Sequence, residues 1–144
     1  MRKIFVKVVL DTNVWISSLL IPQSIPGQII AAWQHTLFDI AISSPILDEI
    51  KRVLNYPTIK KRLSLSLEEI DEYLTLIRFF TDVVDVKTND PLFGNELRDI
   101  NDTPIINTLI ISHADYLITG DQDLLVLSKK YPIISPNEFA KFLD

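Results

Sequence analysis

The chain has 144 residues, of which 47% are hydrophobic and 23% charged, and its formal net charge is −5. This length and composition predict one globular domain over residues 1–144, and the absence of cysteine excludes disulfides, thiolate metal sites and cysteine nucleophiles. The acidic balance argues against broad electrostatic binding of nucleic acid, so a nucleic-acid role would need local positive charge or a bound cation.

The sequence also predicts where the protein resides. No apolar run approaches the roughly 18 residues that a membrane helix needs, so we expect no membrane segment. The apolar start of the chain is interrupted by Lys7 and closed by Asp11, which favours a first strand over a signal peptide. A chain without cysteine is consistent with a reducing compartment, and we expect a cytoplasmic location.

Short apolar segments alternate with helical patterns along the chain. The predicted strands are residues 4–10, 38–42, 83–86, 116–119 and 132–134. Helical spacing or capping signals predict helices around residues 28–33 and after Ser44-Pro45, Ser66, Thr103-Pro104 and Ser135. Alternation of this kind predicts an α/β fold of three layers, with a parallel, roughly five-stranded sheet between helices. The carboxyl ends of such strands meet at one edge, where ligands usually bind.

Acidic side chains come from four separate segments to that edge. Asp11 follows the first predicted strand, and Asp121 and Asp123 follow the strand at 116–119. Asp102 lies beside the N-cap of the helix that starts at Thr103-Pro104. Glu49 lies one turn into the helix that follows the second strand, and it flanks the apolar stripe of that helix, whereas Asp48 shares the polar face of Lys51 and Arg52.

A single acid in such a position is most often a turn or helix cap, but several acids gathered together need cations or protons to balance their charge. Two carboxylates about 4 Å apart repel each other by roughly 4 kcal/mol at an effective dielectric near 20. Oxygen ligands without cysteine favour Mg²⁺ or Mn²⁺, and Mg²⁺ leaves coordination positions for water and substrate phosphate. Asp99, one turn before Asp102, would either assist this site or lie in a loop, and Asp123 is either a further ligand or a first-turn helix acid.

Four motifs in order give the chain a resemblance to a known family. They are VVLDTNVWIS, SSPILDEIKRVL, RDINDTPIINTLIISHADYLITGDQDLL and IISPNEFAKFL, and together they cover nearly the whole chain. The chain resembles the PIN-domain family of metal-dependent ribonucleases and, within it, the toxins of VapC-like toxin–antitoxin systems. The resemblance implies a parallel five-stranded α/β fold, hydrolysis of RNA phosphodiesters, a small antitoxin partner and a homodimer.

The resemblance also assigns roles by position. It implies a catalytic acidic cluster of Asp11, Glu49, Asp102 and Asp121, with Mg²⁺ or Mn²⁺ held by the three aspartates of that cluster and by Asp123. Thr12, Asn13 and Thr119 are implied as supporting residues that orient the carboxylates or a water molecule, and Asp99 remains a supporting candidate.

Basic residues near the second motif have two interpretations. The residues are Lys51, Arg52, Lys60, Lys61 and Arg62. They either supply solubility and helix-end charge or guide a single-stranded RNA backbone toward the acids without reading bases. Trp15 and Trp33 are predicted to pack in the core rather than stack on bases, and His35 and His113 to lie on helix surfaces or helix ends.

Two alternatives stay open from the sequence. A haloacid-dehalogenase-like Mg²⁺ phosphatase also carries an aspartate after its first strand, but it needs a second aspartate where this chain has Asn13. A catalytically silent PIN scaffold that only binds RNA is the other alternative. The intact acids favour an enzyme over that scaffold.

Overall fold

A computed structural model describes residues 1–86 and 102–144 of the chain. In those ranges the strands are β1 (Lys7–Leu10), β2 (Asp39–Ser43), β3 (Asp82–Val84), β4 (Tyr116–Ile118) and β5 (Ile133–Ile134). The helices are α1 (Thr12–Leu20), α2 (Ile25–Gln34), α3 (Ser44–Leu54), α4 (Pro57–Leu63), α5 (Leu67–Phe80), α6 (Thr103–Ser112), α7 (Gln122–Leu125) and α8 (Pro136–Phe142).

The five strands form one parallel sheet in the order β3-β2-β1-β4-β5. In the central strand β1, residues Val8, Val9 and Leu10 are at most 1% exposed. This confirms the predicted α/β fold with a parallel five-stranded sheet. Connections from β1 run outward to β2 and β3, whereas β4 and β5 add on the other side of β1. The direction of strand addition therefore changes between β1 and β4, and α/β sheets bind ligands at such a point.

The register of the two inner strands aligns the residues that follow them. Val8 pairs with Tyr116 and Leu10 pairs with Ile118. The residues that follow β1 and β4 are Asp11 and Thr119, and this register brings them side by side. The backbone N–H of Asp11 donates a hydrogen bond of 3.0 Å to the carbonyl of Ile118, so the pairing of the two segments continues one residue past the end of β1.

Helices pack against the sheet and against one another. α6 packs across β1, β2 and β3, α3 packs against β2, and α7 packs against β5. Trp15 and Ile29, both fully buried, anchor α1 and α2 in the core. In residues 1–86 and 102–144 no single helix is long and apolar enough to cross a membrane; α1 and α2 meet that test only as a pair bent by 96°.

The predicted elements match the observed ones with shifts at their ends. The capping boxes that begin at Ser66 and Ser135 are both formed, each with its glutamate at the third helical position. The first strand begins at Lys7 rather than at residue 4, because Ile4 donates its backbone N–H to Leu37 outside the sheet ladder. The N-cap of α3 is Ser43, one residue before the predicted cap. The short helices α1 and α4 were not predicted, and α7 was implied only by one of the two interpretations of Asp123.

Candidate active site

Asp11 stands at the centre of the carboxyl edge of the sheet. Its side chain is buried, with the residue 9% exposed, and one carboxylate oxygen, Oδ2, accepts a hydrogen bond of 2.7 Å from the hydroxyl of Thr119. The same hydroxyl oxygen accepts a hydrogen bond of 3.0 Å from the backbone N–H of Asp121. Thr119 is fully buried, so this single hydroxyl fixes both the Asp11 carboxylate and the chain that carries Asp121.

The surroundings of Asp11 disfavour its ionised form. Burial raises the pKa of Asp11 above its ordinary value, because the charged carboxylate loses hydration. Hydrogen bonds from Thr119 and from the Thr12 backbone lower the pKa, and the negative charges of Asp121 and Glu49 raise it again. A carboxylate in this position is stabilised by a proton or by a bound cation.

Three of the four predicted site acids occupy N-cap positions, where the positive end of a helix dipole favours a negative charge. Asp11 precedes α1, Asp102 precedes α6 and Asp121 precedes α7. The Asp121 carboxylate does cap its short helix, because Oδ1 accepts a hydrogen bond of 2.9 Å from the backbone N–H of Asp123. Asp11 and Asp102 form no side-chain capping hydrogen bond. Capping alone therefore does not account for the acids at those two positions.

Glu49 reaches the site from α3 and forms an ion pair at its rim. Arg52, one helical turn later, donates from Nη2 to Oε1 at 2.6 Å and from Nε to Oε2 at 3.0 Å. The remaining guanidinium nitrogen donates to the hydroxyl of Tyr56, and the guanidinium carbon lies 5.4 Å from the centroid of the tyrosine ring. Arg52 was predicted to share the polar face of Asp48, but its ionic partner is Glu49, because a separation of three residues also brings helical side chains together.

A cavity of about 550 Å³ brings the predicted site residues together. Its lining consists of Asp11, Thr12, Asn13, Glu49, Arg52, Asp102, Ile105 and Asp121. All four acids of the predicted cluster are thus in one polar cavity, although they come from four separate segments. Asp123 is not part of the lining and lies in the first turn of α7. Asp99 falls outside the described residues.

The donor chemistry of this cavity fits a hard divalent cation. The four acids and the side chains of Thr12 and Asn13 offer oxygen donors, which Mg²⁺ and Mn²⁺ prefer. Over residues 1–86 and 102–144, no three acidic or histidine side chains are arranged to hold a metal ion by themselves. Mg²⁺ retains several waters and usually binds through one or two carboxylates, so a closed ring of protein ligands is not required. Asp11, Asp102 and Asp121 are the residues that would hold the ion.

The other predicted basic residues lie away from the acids. The ammonium group of Lys51 forms an ion pair of 3.4 Å with Asp71 on the neighbouring helix α5. Lys60, Lys61 and Arg62 lie in the last turn of α4. Of the five predicted phosphate-backbone residues, Arg52 is the one that lines the cavity.

Aromatic and histidine residues take the positions that the sequence predicted. Trp15 is fully buried and meets Trp33 edge-to-face, with ring centroids 5.5 Å apart. His35 and His113 are the C-cap residues of α2 and α6. Tyr56, which braces Arg52 at the cavity, was missed in the sequence, although its spacing four residues after Arg52 was the available signal.

A second cavity, of about 320 Å³, lies between α2 and α5. Trp33, Phe38, Tyr73, Ile77 and Phe80 are among the residues that line it. None of the four site acids reaches this cavity, and its lining is mainly apolar. It supplies no group for the chemistry that the acidic cavity supports.

Comparison with known proteins assigns the family. The sequence profile described as "PIN domain" matches residues 7–123, which include all four acids of the cavity. The chain belongs to the PIN-domain family. The resemblance read from the four sequence motifs is therefore confirmed at the level of the family.

One known sequence and one solved structure are similar to this PIN domain. An uncharacterised protein of Methanocaldococcus jannaschii, MJ1680, is 34% identical over 127 residues, which are 88% of this chain and 78% of that protein. A chain in the crystal structure of VapBC2 from Rickettsia felis, bound to a DNA fragment from their promoter, has the same fold with a TM-score of 0.52. The match is 17% identical and covers 90% of this chain and 98% of the other. The PIN-like α/β fold predicted from the sequence is thereby confirmed.

Proposed function

We propose that this PIN domain is a metal-dependent endoribonuclease that hydrolyses phosphodiester bonds of single-stranded RNA. The observation that carries the proposal is the polar cavity lined by Asp11, Glu49, Asp102 and Asp121, at the point between β1 and β4 where the direction of strand addition changes. Four acids from separate segments gather there, and desolvation already raises the pKa of the innermost one. Membership of the PIN-domain family supports a nuclease in general, and the metal and the RNA substrate are the finer parts of the proposal.

The catalytic roles follow from the environment of each acid. Asp11, Asp102 and Asp121 would hold a divalent cation, Mg²⁺ or Mn²⁺, which supplies Lewis-acid polarisation of the phosphate and a lowered pKa for water. Thr119 orients Asp11 through its 2.7 Å hydrogen bond, and it also fixes the backbone of Asp121. Glu49, at the exposed rim, would accept a proton once its ion pair with Arg52 is open.

The proposed substrate class follows from the distribution of charge. The chain is acidic overall, so the attraction for a phosphate backbone would come from the cation and from local basic residues. Arg52 at the cavity, and Lys51, Lys60, Lys61 and Arg62 outside it, would contact phosphates with little discrimination between bases.

The proposed partners follow the family and the structural neighbour. We propose that the protein is the toxin of a toxin–antitoxin pair, that a small antitoxin protein binds it, and that it forms a homodimer in the cytoplasm. The VapBC2 structure, with its promoter DNA, supports the antitoxin partner through likeness of fold.

The decisive experiment is incubation of the pure protein with single-stranded RNA and Mg²⁺ or Mn²⁺, beside the Asp11→Asn variant. We expect Asp11→Asn to lower the cleavage rate by about 100-fold or more, because removal even of groups that only support metal ligands typically costs 10- to 100-fold. The matched control is Asp48→Asn, the same change at an exposed acid of α3 that does not line the cavity. This control should cleave at the wild-type rate.

Other outcomes identify the alternatives. RNA decay at equal rates in the wild type and in Asp11→Asn would refute the nuclease, since the decay would then come from a contaminant. Binding of RNA without cleavage under every metal condition would identify a silent PIN module. A parallel assay with a small phosphate ester in place of RNA measures the phosphatase alternative, and we expect no turnover there.

A further inference from the structure

The ion pair between Glu49 and Arg52 occupies both oxygens of the glutamate. Two guanidinium nitrogens donate to two different carboxylate oxygens, at 2.6 and 3.0 Å, which is the bidentate geometry that arginine forms with carboxylates. The third nitrogen is held by the hydroxyl of Tyr56, and the tyrosine ring lies beside the guanidinium. Arg52 is therefore held from two sides in the position that faces Glu49.

Both members of the pair line the acidic cavity. A guanidinium remains protonated at every physiological pH, so Arg52 places a permanent positive charge beside the acids. A divalent cation that approached Glu49 would meet that charge, and it would also have to displace the two hydrogen bonds. The pair is open to solvent, with the Arg52 and Glu49 side chains 59% and 41% exposed. Exposed pairs of this kind contribute little to stability, so this one opens readily.

We propose that Arg52 competes with the divalent cation for Glu49, and that it thereby sets the metal affinity of the site. The inference rests on the proposed function in assigning a cation to this cavity. While the Glu49–Arg52 ion pair is formed, Glu49 does not bind the cation, and the ligands for the cation are Asp11, Asp102 and Asp121. With the pair open, Glu49 becomes available as a fourth acid. Arg52 is thus a positioning residue that acts through Glu49.

Mn²⁺ alone is the probe, titrated calorimetrically into the full chain at constant ionic strength. We expect Arg52→Gln to lower the dissociation constant about 1.5- to 5-fold, the range that corresponds to opening an exposed ion pair. Lys51→Gln is the matched control, because it removes the same charge from the adjacent residue, whose partner is Asp71 of α5. Its effect should be less than half as large. Thermal melting verifies that each variant is folded.

A double-mutant cycle distinguishes competition from general electrostatics. In the Glu49→Gln background, Arg52→Gln should give no more gain in Mn²⁺ affinity than the Lys51→Gln control does, because there is no carboxylate left to release. A gain that persists in that background would overturn the proposal. So would an unchanged or weaker affinity in Arg52→Gln alone, an equal gain in Lys51→Gln, or a failure of all variants to bind Mn²⁺.

The cleavage assay keeps the two proposals separate. If RNA cleavage depends on Asp11 but Mn²⁺ affinity does not change in Arg52→Gln, the nuclease proposal stands and the proposal of competition fails. A protein that shows the competition but does not cleave RNA would retain a regulated metal site without the proposed activity.

Discussion

The acidic cavity has an inner side and an outer side, and the two hold their carboxylates by different physical means. On the inner side Asp11 is 9% exposed and is fixed by the fully buried hydroxyl of Thr119. On the outer side Glu49 is 41% exposed in its side chain and is held by the charged group of Arg52. The inner acid accepts hydrogen bonds from neutral donors, the Thr119 hydroxyl and the Thr12 backbone, whereas the outer acid is paired with the full positive charge of a guanidinium.

This difference separates a rigid part of the site from an adjustable one. Buried hydrogen bonds around Asp11 cannot be replaced by water when they break, so the inner geometry is fixed before any ligand arrives. The exposed pair at Glu49 exchanges its partners with water at little cost, so its position responds to ions. We therefore expect changes on the inner side to affect stability and activity together, and changes at the rim to affect ion binding and activity with little effect on stability.

The largest expected effect on the free energy of unfolding comes from removing the inner hydroxyl. Thr119→Val keeps the shape of the side chain but leaves Asp11 and the Asp121 backbone N–H without their partner. We expect RNA cleavage to fall about 10- to 100-fold, as for other groups that orient metal ligands. The free energy of unfolding should fall by about 1–3 kcal/mol, measured by urea denaturation.

Ser112→Ala is the control for that variant. The Ser112 hydroxyl is buried and also accepts a backbone N–H, from Ala114, but it lies at the opposite end of α6 from Asp102. This variant should lose similar stability and keep its cleavage rate. Equal losses of activity in both variants would mean that Thr119 acts only through general stability.

An intermediate effect is expected from Asp11→Asn in the presence of a chelator. The pKa of Asp11 is raised in the folded protein, so the folded state binds its proton more tightly than the unfolded state does. Stability contributed by this group therefore falls as the pH rises from its unfolded pKa near 3.8 through the raised folded value. At pH 8 the amide should increase the free energy of unfolding, by about 1 kcal/mol.

The pH dependence provides the check on this prediction. The difference in free energy of unfolding between Asp11→Asn and the wild type should become smaller as the pH is lowered toward 4, where the wild-type carboxyl is itself protonated. At pH 8 without chelator, added Mn²⁺ should raise the melting temperature of the wild type more than that of the variant, because ligands stabilise the state that binds them. A variant that is less stable at every pH, with and without metal, would make Asp11 a structural residue.

The smallest expected effect is on stability at the rim. Arg52→Gln and Glu49→Gln should each change the free energy of unfolding by no more than about 0.5–1 kcal/mol, because both side chains are largely solvated. The denaturation experiments used for Thr119→Val measure this directly. A loss as large as that of Thr119→Val would show that the pair is a structural element and would remove the contrast between the two sides.

The sequence predicted much of the site because its signals are local. Helical spacing distinguished Glu49, which lines the cavity, from the exposed Asp48 on the polar face of the same helix. Strand ends placed Asp11 and Asp121 at one edge. Asp123 was left with two interpretations, because an acid two residues into a short helix has the same sequence pattern whether it binds a metal or favours the helix dipole.

Contacts between distant parts of the chain were not readable from such signals. Spacing within α3 allowed Arg52 either Asp48 or Glu49 as its ionic partner, and the structure selects Glu49 together with Tyr56. Lys51 was grouped with Arg52 in the sequence, but it turns to Asp71 of α5. A side chain chooses among partners of similar energy according to which helices pack beside it, and that packing is a property of the whole fold.

The sequence by itself determined the alternation of strands and helices, the parallel sheet and the set of acids, because hydrophobic periodicity and capping act over a few residues. The tertiary structure decided that β4 lies beside β1, with Leu10 opposite Ile118. That register places the Thr119 hydroxyl against Asp11 across 108 residues of chain. Strand order and register depend on the packing of every layer at once, so no short stretch of sequence encodes them.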